Sequence, residues 1–372
     1  MKVPRAGSQG ARCCAAGRGA LSRLFFAVGL VAALVTAPVD RACGQDSTIR
    51  YGRGVPSAVR AINHRCLEYL ARTQREDGTW PGGEGGPGIT GICVMAFMAS
   101  GEDPDFGPYA THVRRALRNI ISSQDGETGH ISGPGHGPMY HHGFATLALS
   151  EAYGVVSGRL LWQGSQAPVE RRRTIGQALE LATRCALTAQ EQNPWGAWRY
   201  SPGSQDADTT VSGTVLMGLL GARNAGVEVP NEAIDKALSY FRAHTRADGV
   251  VSYQATQSHG DGVARTAIGT LVFAIGKRKD WPEYQAASEF IRRRMHHSLS
   301  DHPFYTRYYM AQALFHSDLD AWEAWNQHTV RQLQETQEED GSFASSHGPA
   351  YGTGMSALAL ALNYRLLPVY ER

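Results

Sequence analysis

The chain has 372 residues and a formal net charge of +2, from 36 Lys and Arg against 34 Asp and Glu. This length allows one large domain or two small ones, and the near-neutral charge gives no indication of a nucleic-acid-binding protein. Gly occurs 42 times, above the average usage of roughly 7%. Many of these glycines recur in short polar turns between apolar segments, so they indicate turns and not disorder.

The N-terminal stretch has the composition of a targeting segment. Basic residues precede an apolar run over residues 24–37, which is too short to span a bilayer comfortably. Small residues at Ala42 and Gly44 indicate cleavage before Gln45, and Ala37 offers an alternative cleavage position. We therefore predict a signal peptide over residues 1–44 and an exported protein, periplasmic or extracellular, with no stable membrane span after cleavage. An uncleaved N-terminal anchor is the alternative.

Pairs of helical segments follow from residue 55 to residue 372. The first helix of each pair is amphipathic, whereas the second is apolar nearly all round, which is typical of a buried helix. We predict the pairs over residues 56–74 and 89–99, 109–123 and 143–153, 171–189 and 211–224, 230–243 and 263–275, 283–297 and 305–315, and 322–336 and 351–362.

A polar turn with a glycine joins the two helices in five of the pairs. In the first pair, Gly78 allows a left-handed backbone, and Trp80 can fold back as an apolar plug. The five turns contain Gln74 with Gly78, Gln124 with Gly129, Gln192 with Gly196, Thr245 with Gly249, and Gln337 with Gly341. Such self-similarity indicates a repeat architecture.

Small residues recur at one aligned position of the second helices and allow these helices to approach closely. The position holds Gly91, Gly143, Gly213, Ala267 and Gly354, with the larger Tyr308 in the fifth pair. Six hairpins of this kind can close into an inner ring within an outer ring. An open solenoid normally requires polar capping repeats, which neither end shows. The prediction is an all-α fold, a single α/α toroid over residues 55–372.

The three cysteines after the leader are Cys66, Cys93 and Cys185, and each lies on an apolar helical face. An odd, widely spaced set is not a disulfide framework, so we expect buried free thiols.

The turn pattern resembles the QW repeat of squalene–hopene cyclases, other terpenoid cyclases and protein prenyltransferase β subunits. The matching phrases are Leu70-x3-Gln74-x3-Gly78-x-Trp80 and, nearly, Leu333-x3-Gln337-x3-Gly341-x-Phe343. Residues 140–146 and 367–370 also look like phrases of exported bacterial proteins with prenyltransferase/squalene-oxidase repeats. The resemblance implies a toroid that binds an isoprenoid or a similar lipid in a central cavity.

Class II terpenoid cyclases protonate an alkene with the middle acid of a D-x-D-D motif, and the resemblance aligns this motif with residues 206–209. Asp206 and Asp208 match the first and middle acids, whereas Thr209 replaces the last. The purely structural interpretation is that Asp208 caps the helix beginning near Thr210. A non-catalytic exported binding or scaffold module is therefore the alternative to cyclase-like acid chemistry.

Other chemistries have weaker support. Protein prenyltransferases hold zinc with an Asp, a Cys and a His, a set that cannot be placed here, so no metal or cofactor is predicted. An α/α-toroid enzyme acting on glycans would need paired carboxylates at the cavity, where Asp206, Asp208 and Asp261 are the obvious acids.

The N-termini of all six second helices should open at one mouth, where unpaired N–H groups carry partial positive charge. One position before the small residue stand Thr90, His142, Ser212, Thr266, Arg307 and Thr353, which we expect to form a polar ring above the apolar cavity. A small hydrophobic or amphiphilic ligand with an anionic or polar head would suit this mouth. The predicted ligand-binding residues are His141, His142, Arg199, Tyr200, Thr209, Asp261, Arg265, Tyr305, Arg307 and Tyr351.

Overall fold

The computed structural model describes residues 54–83, 85–135, 137–254, 261–296 and 302–366. The predicted leader over residues 1–44 and the phrase at 367–370 lie outside the described residues, so the signal peptide and export stay predictions. None of the described helices is both long and apolar enough to cross a membrane.

Helices account for nearly all regular structure of the described residues, and the extended pairings among them are two isolated bridges, Gln124 with Ile131 and Thr245 with Val251. A short 3₁₀ helix spans Val169–Arg171. The α-helices are α1 Ser57–Thr73, α2 Pro87–Met98, α3 Ala110–Ser122, α4 Pro138–Ala152, α5 Gly158–Leu161, α6 Ile175–Gln192, α7 Thr209–Asn224, α8 Asn231–Ala243, α9 Val263–Ile275, α10 Pro282–Arg294, α11 Pro303–Ser317, α12 Leu319–Thr336 and α13 Pro349–Ala361.

The apolar helices form a closed inner ring. They contact one another in the order α2, α4, α7, α9, α11 and α13, and α13 packs against α2 again. The predicted small residues face these contacts: a Cβ added at Gly91 would lie 2.9 Å from the carbonyl oxygen of Phe144, and one at Gly354 would lie 2.8 Å from Ile92. The amphipathic helices α1, α3, α6, α8, α10 and α12 form the outer layer. The predicted α/α toroid is confirmed, and the open solenoid is excluded.

Five inner helices begin earlier than their apolar pattern predicts. The α2 and α7 helices begin at Pro87 and Thr209, each two residues before the predicted start. The α4 helix begins at Pro138 and not at Gly143, so His141 and His142 lie in its first turns instead of in a loop. The α11 and α13 helices begin at Pro303 and Pro349, two residues before the predicted starts. Proline suits the first helical position because the N–H it lacks has no intrahelical partner there.

A glutamine amide links most of the turns to the neighbouring hairpin. Each side chain donates from Nε2 to the carbonyl of the turn glycine and to a carbonyl on the next outer helix. The pairs of acceptors are Gly78 (3.3 Å) and His112 (3.0 Å) for Gln74, Gly129 (3.0 Å) and Ala178 (2.8 Å) for Gln124, Gly196 and Ala233 (both 2.8 Å) for Gln190, and Gly341 (2.9 Å) and Ile62 (3.2 Å) for Gln337. The assignment of Gln192 to the third turn was wrong, because Gln190 makes these bonds.

The aromatic plugs are buried as predicted. Trp80, Trp198 and Phe343 are almost fully excluded from solvent. The indole N–H of Trp80 donates to the carbonyl of Leu70 (2.8 Å), and that of Trp198 donates to Ala186 (2.8 Å). The N–H of each indole is therefore hydrogen-bonded to the helix that precedes its turn.

Ring closure can be tested at Gly341, which has φ +89° and abuts the carbonyl oxygen of Arg65 on α1. We expect Gly341→Ala to lower the free energy of unfolding by about 2 kcal/mol more than Gly226→Ala, because its Cβ must displace main chain. Gly226 is the matched control, since its φ is +91° and no atom lies within 4 Å of an added Cβ. Urea unfolding measures both losses, and equal losses would contradict the packing of this turn on α1.

Candidate functional site

A cavity of about 580 Å³ opens at the N-terminal ends of the inner helices. Each inner helix contributes the residue three positions before the aligned position that holds Gly91, Gly143, Gly213, Ala267, Tyr308 and Gly354. These residues are Gly88, Tyr140, Thr210, Ala264, Tyr305 and Tyr351. Among the other lining residues are Ile89, Ile92, His141, Phe144, Tyr200, Tyr253, Asp261, Val263, Arg265, His302 and His347.

The predicted polar ring lies on the opposite face of the helices. Its members are two residues from the cavity-lining positions, which corresponds to about 200° around an α-helix. Four of them accept the backbone N–H of a turn residue at 3.0–3.1 Å: His142 from Ile131, Ser212 from Trp198, Thr266 from Val251 and Thr353 from Phe343. The expectation that the ring surrounds the mouth was therefore wrong, and these four residues hold the turns onto the inner ring.

His142 is buried as a neutral imidazole with a defined tautomer. Its Nδ1 accepts the N–H of Ile131 (3.1 Å), so its proton lies on Nε2, which donates to the carbonyl of Ala182 (3.0 Å). Burial, reinforced by the neighbouring His130, lowers the pKa of His142 to about 3. Protonation would remove the bond from Ile131 and place a charge in the protein interior.

This tautomer predicts a loss of stability in weak acid. The unfolded state has a His pKa of about 6.5 and binds more protons than the folded state down to about pH 3, so the free energy of unfolding should fall by about 1.4 kcal/mol per pH unit below about 6.5. We expect His142→Gln to flatten this dependence between pH 7.5 and 5, measured by urea unfolding. The control is His64→Gln on the exposed face of α1. An unchanged slope in His142→Gln would contradict the assignment.

Asp208, the candidate catalytic acid, is fully buried and caps helix α7. Its Oδ1 accepts the N–H groups of Thr210 and Val211 (both 2.9 Å) and the hydroxyl of Thr210 (2.6 Å). Its Oδ2 lies 3.4 Å from Nε of Arg199. Burial raises the pKa of Asp208, whereas the donors at Oδ1 and the Arg199 guanidinium lower it by less. The residue does not line the cavity, so it would act there only through its neighbours.

Arg199 connects this buried acid to the surface. Its guanidinium pairs with Asp206, whose side chain is 59% exposed, and lies over the rings of Tyr200 and Tyr253 at 4.8 and 5.6 Å from their centroids. Arg199 therefore stands behind the two tyrosines that line the cavity.

Tyrosines form much of the polar cavity wall. Tyr140 Oη lies 2.6 Å from Oγ1 of Thr210, and the hydroxyls of Tyr200 and Tyr253 lie 2.7 Å apart. Tyr305 Oη donates to the carbonyl of Thr210 (3.3 Å). Burial raises the phenol pKa of Tyr140, Tyr253 and Tyr305, so these hydroxyls keep their protons near neutral pH.

Charged and imidazole groups stand at the mouth. Asp261 accepts the N–H of Val263 (3.0 Å), and Arg265 donates from Nε to the carbonyl of Val251 (3.2 Å). The rings of His302 and His347 stack at 6.2 Å between centroids. Within the described ranges, no three His, Cys, Asp or Glu side chains are close enough together to hold a metal ion.

The structure brings six of the predicted ligand-binding residues to the cavity: His141, Tyr200, Asp261, Arg265, Tyr305 and Tyr351. His142, Arg199, Thr209 and Arg307 do not line it, and neither do the candidate acids Asp206 and Asp208. Arg307 packs over Phe304 at 5.7 Å from the ring centroid, and burial lowers its pKa to about 10. Sequence reasoning missed Tyr140, Thr210, Tyr253 and His302 as lining residues. Binding by the six residues at the cavity stays a prediction.

Comparison with known proteins shows the fold. No protein-family model and no curated protein matches the chain. A variant of the type II terpene cyclase MstE from Scytonema, in complex with its substrate geranylgeranyl dihydroxybenzoate, matches with a TM-score of 0.57 and 16% identity over 83% of this chain and 98% of the cyclase. The ligand-free structure of MstE without the substitution matches with a TM-score of 0.56 and 16% identity over 83% of this chain and 99% of the cyclase. A protein from Actinoplanes matches at 0.55 and 15% identity over 83% and 99%. The chain thus has a terpenoid-cyclase-like fold.

Proposed function

We propose that the protein binds an isoprenoid or a comparable amphiphilic lipid in its central cavity. The cavity itself carries the proposal, because its volume of about 580 Å³ falls in the range of about 300–1,000 Å³ typical of small-molecule sites. Such sites combine mainly apolar walls with a few placed polar groups, which orient the ligand.

The lining is divided in a way that suits an amphiphile. Ile89, Ile92, Phe144 and Val263 offer apolar surface to a hydrocarbon chain. Arg265, with His302 and His347, offers polar contacts to a head group at the mouth. The similarly folded cyclase binds a geranylgeranyl compound, which supports a prenyl chain as the apolar part. Because a signal peptide is predicted, we also propose that binding takes place in the periplasm or outside the cell.

The surroundings of Asp208 favour binding over acid catalysis. A general acid must reach the reacting atom directly, at about 2.6–3.2 Å, or through one water molecule. Oδ1 of Asp208 already accepts three hydrogen bonds, Oδ2 faces Arg199, and the side chain has no exposed surface. We therefore assign Asp208 to capping α7 and to pairing with Arg199 in this proposal.

Filling the cavity should abolish binding. We expect the purified protein to bind geranylgeraniol and its methyl ether, measured by isothermal titration calorimetry in detergent below its critical concentration. Ala264→Trp places an indole among the lining residues and should weaken binding of both probes at least about 10-fold, since little room remains for the chain. Ala61→Trp on the exposed face of α1 is the control and should bind normally. Equal binding by both variants, or no binding by the wild type, would overturn the proposal.

Asp208→Asn separates the binding protein from the cyclase. Asn caps a helix about as well as Asp, so the variant should fold and bind geranylgeraniol within about 3-fold of the wild type. Neither protein should convert the probe to a cyclic product, as followed by gas chromatography and mass spectrometry. A cyclic product from the wild type that disappears in Asp208→Asn would show acid catalysis and refute the structural assignment.

A further inference from the structure

The helix cap at Asp208 determines which way the hydroxyl of Thr210 points. Two backbone N–H groups, those of Thr210 and Val211, already donate to Oδ1 of Asp208, so that oxygen cannot carry a proton. The Thr210 hydroxyl lies 2.6 Å from the same oxygen and must therefore be the donor. This holds whether or not Asp208 is ionised, because a proton on the carboxyl group would lie on Oδ2.

Because the Thr210 hydroxyl donates to Asp208, the direction of its hydrogen bond with Tyr140 is also determined. A hydroxyl has one proton, and Thr210 gives its proton to Asp208. Tyr140 Oη, 2.6 Å from Oγ1 of Thr210, can then only donate to it. Among the described residues Thr210 is the hydrogen-bond partner of this phenol. The Tyr140 oxygen is thus left with lone pairs and no free proton where it lines the cavity.

Tyr305 lies on the other side of Thr210 and also bonds the start of α7. Its hydroxyl is 3.3 Å from the main-chain carbonyl of Thr210, which can only accept, and 3.1 Å from Oγ1 of Thr214. The phenols from α4 and α11 are therefore both hydrogen-bonded to the first two turns of α7. At Tyr140 the cavity wall offers an acceptor, which a ligand satisfies only by bringing a donor.

We propose that the ligand carries a hydroxyl group that donates a hydrogen bond to Tyr140 Oη. This inference rests on the proposed lipid-binding function. The cavity would then select a prenyl chain ending in an alcohol or a phenol over the same chain without a hydroxyl proton. A ligand whose head has only acceptors, such as an ether, leaves the phenol oxygen desolvated and unpaired, at a loss of affinity.

Two matched pairs of probes test this selection: geranylgeraniol with its methyl ether, and geranylgeranylphenol with its methyl ether. In at least one pair the wild type should bind the hydroxyl compound about 3- to 10-fold more tightly, as measured by calorimetry, and that pair identifies the alcohol or the phenol. Tyr140→Phe should reduce the affinity for the hydroxyl compound to that for the ether. Equal affinities within both pairs would overturn the inference but leave the lipid-binding proposal standing, whereas no binding of any probe would overturn both.

A substitution at Thr210 tests whether the ligand preference depends on the direction of the Tyr140 hydrogen bond or only on contact with the tyrosine. Thr210→Val removes the acceptor of the Tyr140 proton, so the phenol becomes free to donate and binding of the ether should improve about 3-fold or more. Thr210→Ser keeps the hydroxyl and should keep the wild-type preference. Tyr309→Phe is a further control, because Tyr309 bonds Thr214 (3.2 Å) and does not line the cavity. If the ether gains nothing in Thr210→Val while the variant keeps the wild-type melting temperature, the assigned polarity is wrong.

Discussion

The contact between each glycine turn and the next outer helix is the interaction on which the toroid depends. At four turns the glycine lies directly against a main-chain carbonyl of that helix, where a side chain would collide: Gly78 on Arg115, Gly129 on Leu181, Gly249 on Ala286 and Gly341 on Arg65. The glutamine amide then donates across the same gap at all but the Gly249 turn. Four of the six hairpins are thereby fixed to their neighbours by main-chain contacts, and the last of these contacts returns to α1 and closes the ring.

The same turns also determine which faces of the inner helices meet the cavity. The residue after each turn is buried as a plug, and at four of the turns its backbone N–H donates to a side chain on the following inner helix, such as Ser212 on α7 for Trp198. Because that side chain must face outward to the turn, the residue two positions earlier faces the centre. For α7 this residue is Thr210. The orientation of each inner helix about its own axis therefore determines both which side chain bonds the turn and which side chain lines the cavity.

The repeat period and the apolar pattern were sufficient to predict the toroid, since they report burial and both rings must be buried on their shared face. The orientation of the inner helices about their own axes was not predictable in this way, because a helix that is apolar nearly all round has no distinct apolar face to indicate which side meets the centre. Polar residues at the helix starts were consequently assigned to the mouth, although His142 and Thr353 serve the turns. The first-turn prolines, Pro138 and Pro349, were a usable signal for the true starts.

The departure from the cyclase acid motif has a structural use at the cavity. Thr209 stands where the last acid of the motif would be, fully buried, with its hydroxyl donating to the carbonyl of Ser252 (2.9 Å) and its N–H donating to that of Tyr253 (3.1 Å). A carboxylate at this position would face the Ser252 carbonyl without a proton to share, which is unfavourable in a buried site. Thr209 instead anchors the segment that brings Tyr253 against Tyr200. In the binding function proposed above, Thr209 thus supports the tyrosine wall of the cavity and is not part of an acid motif.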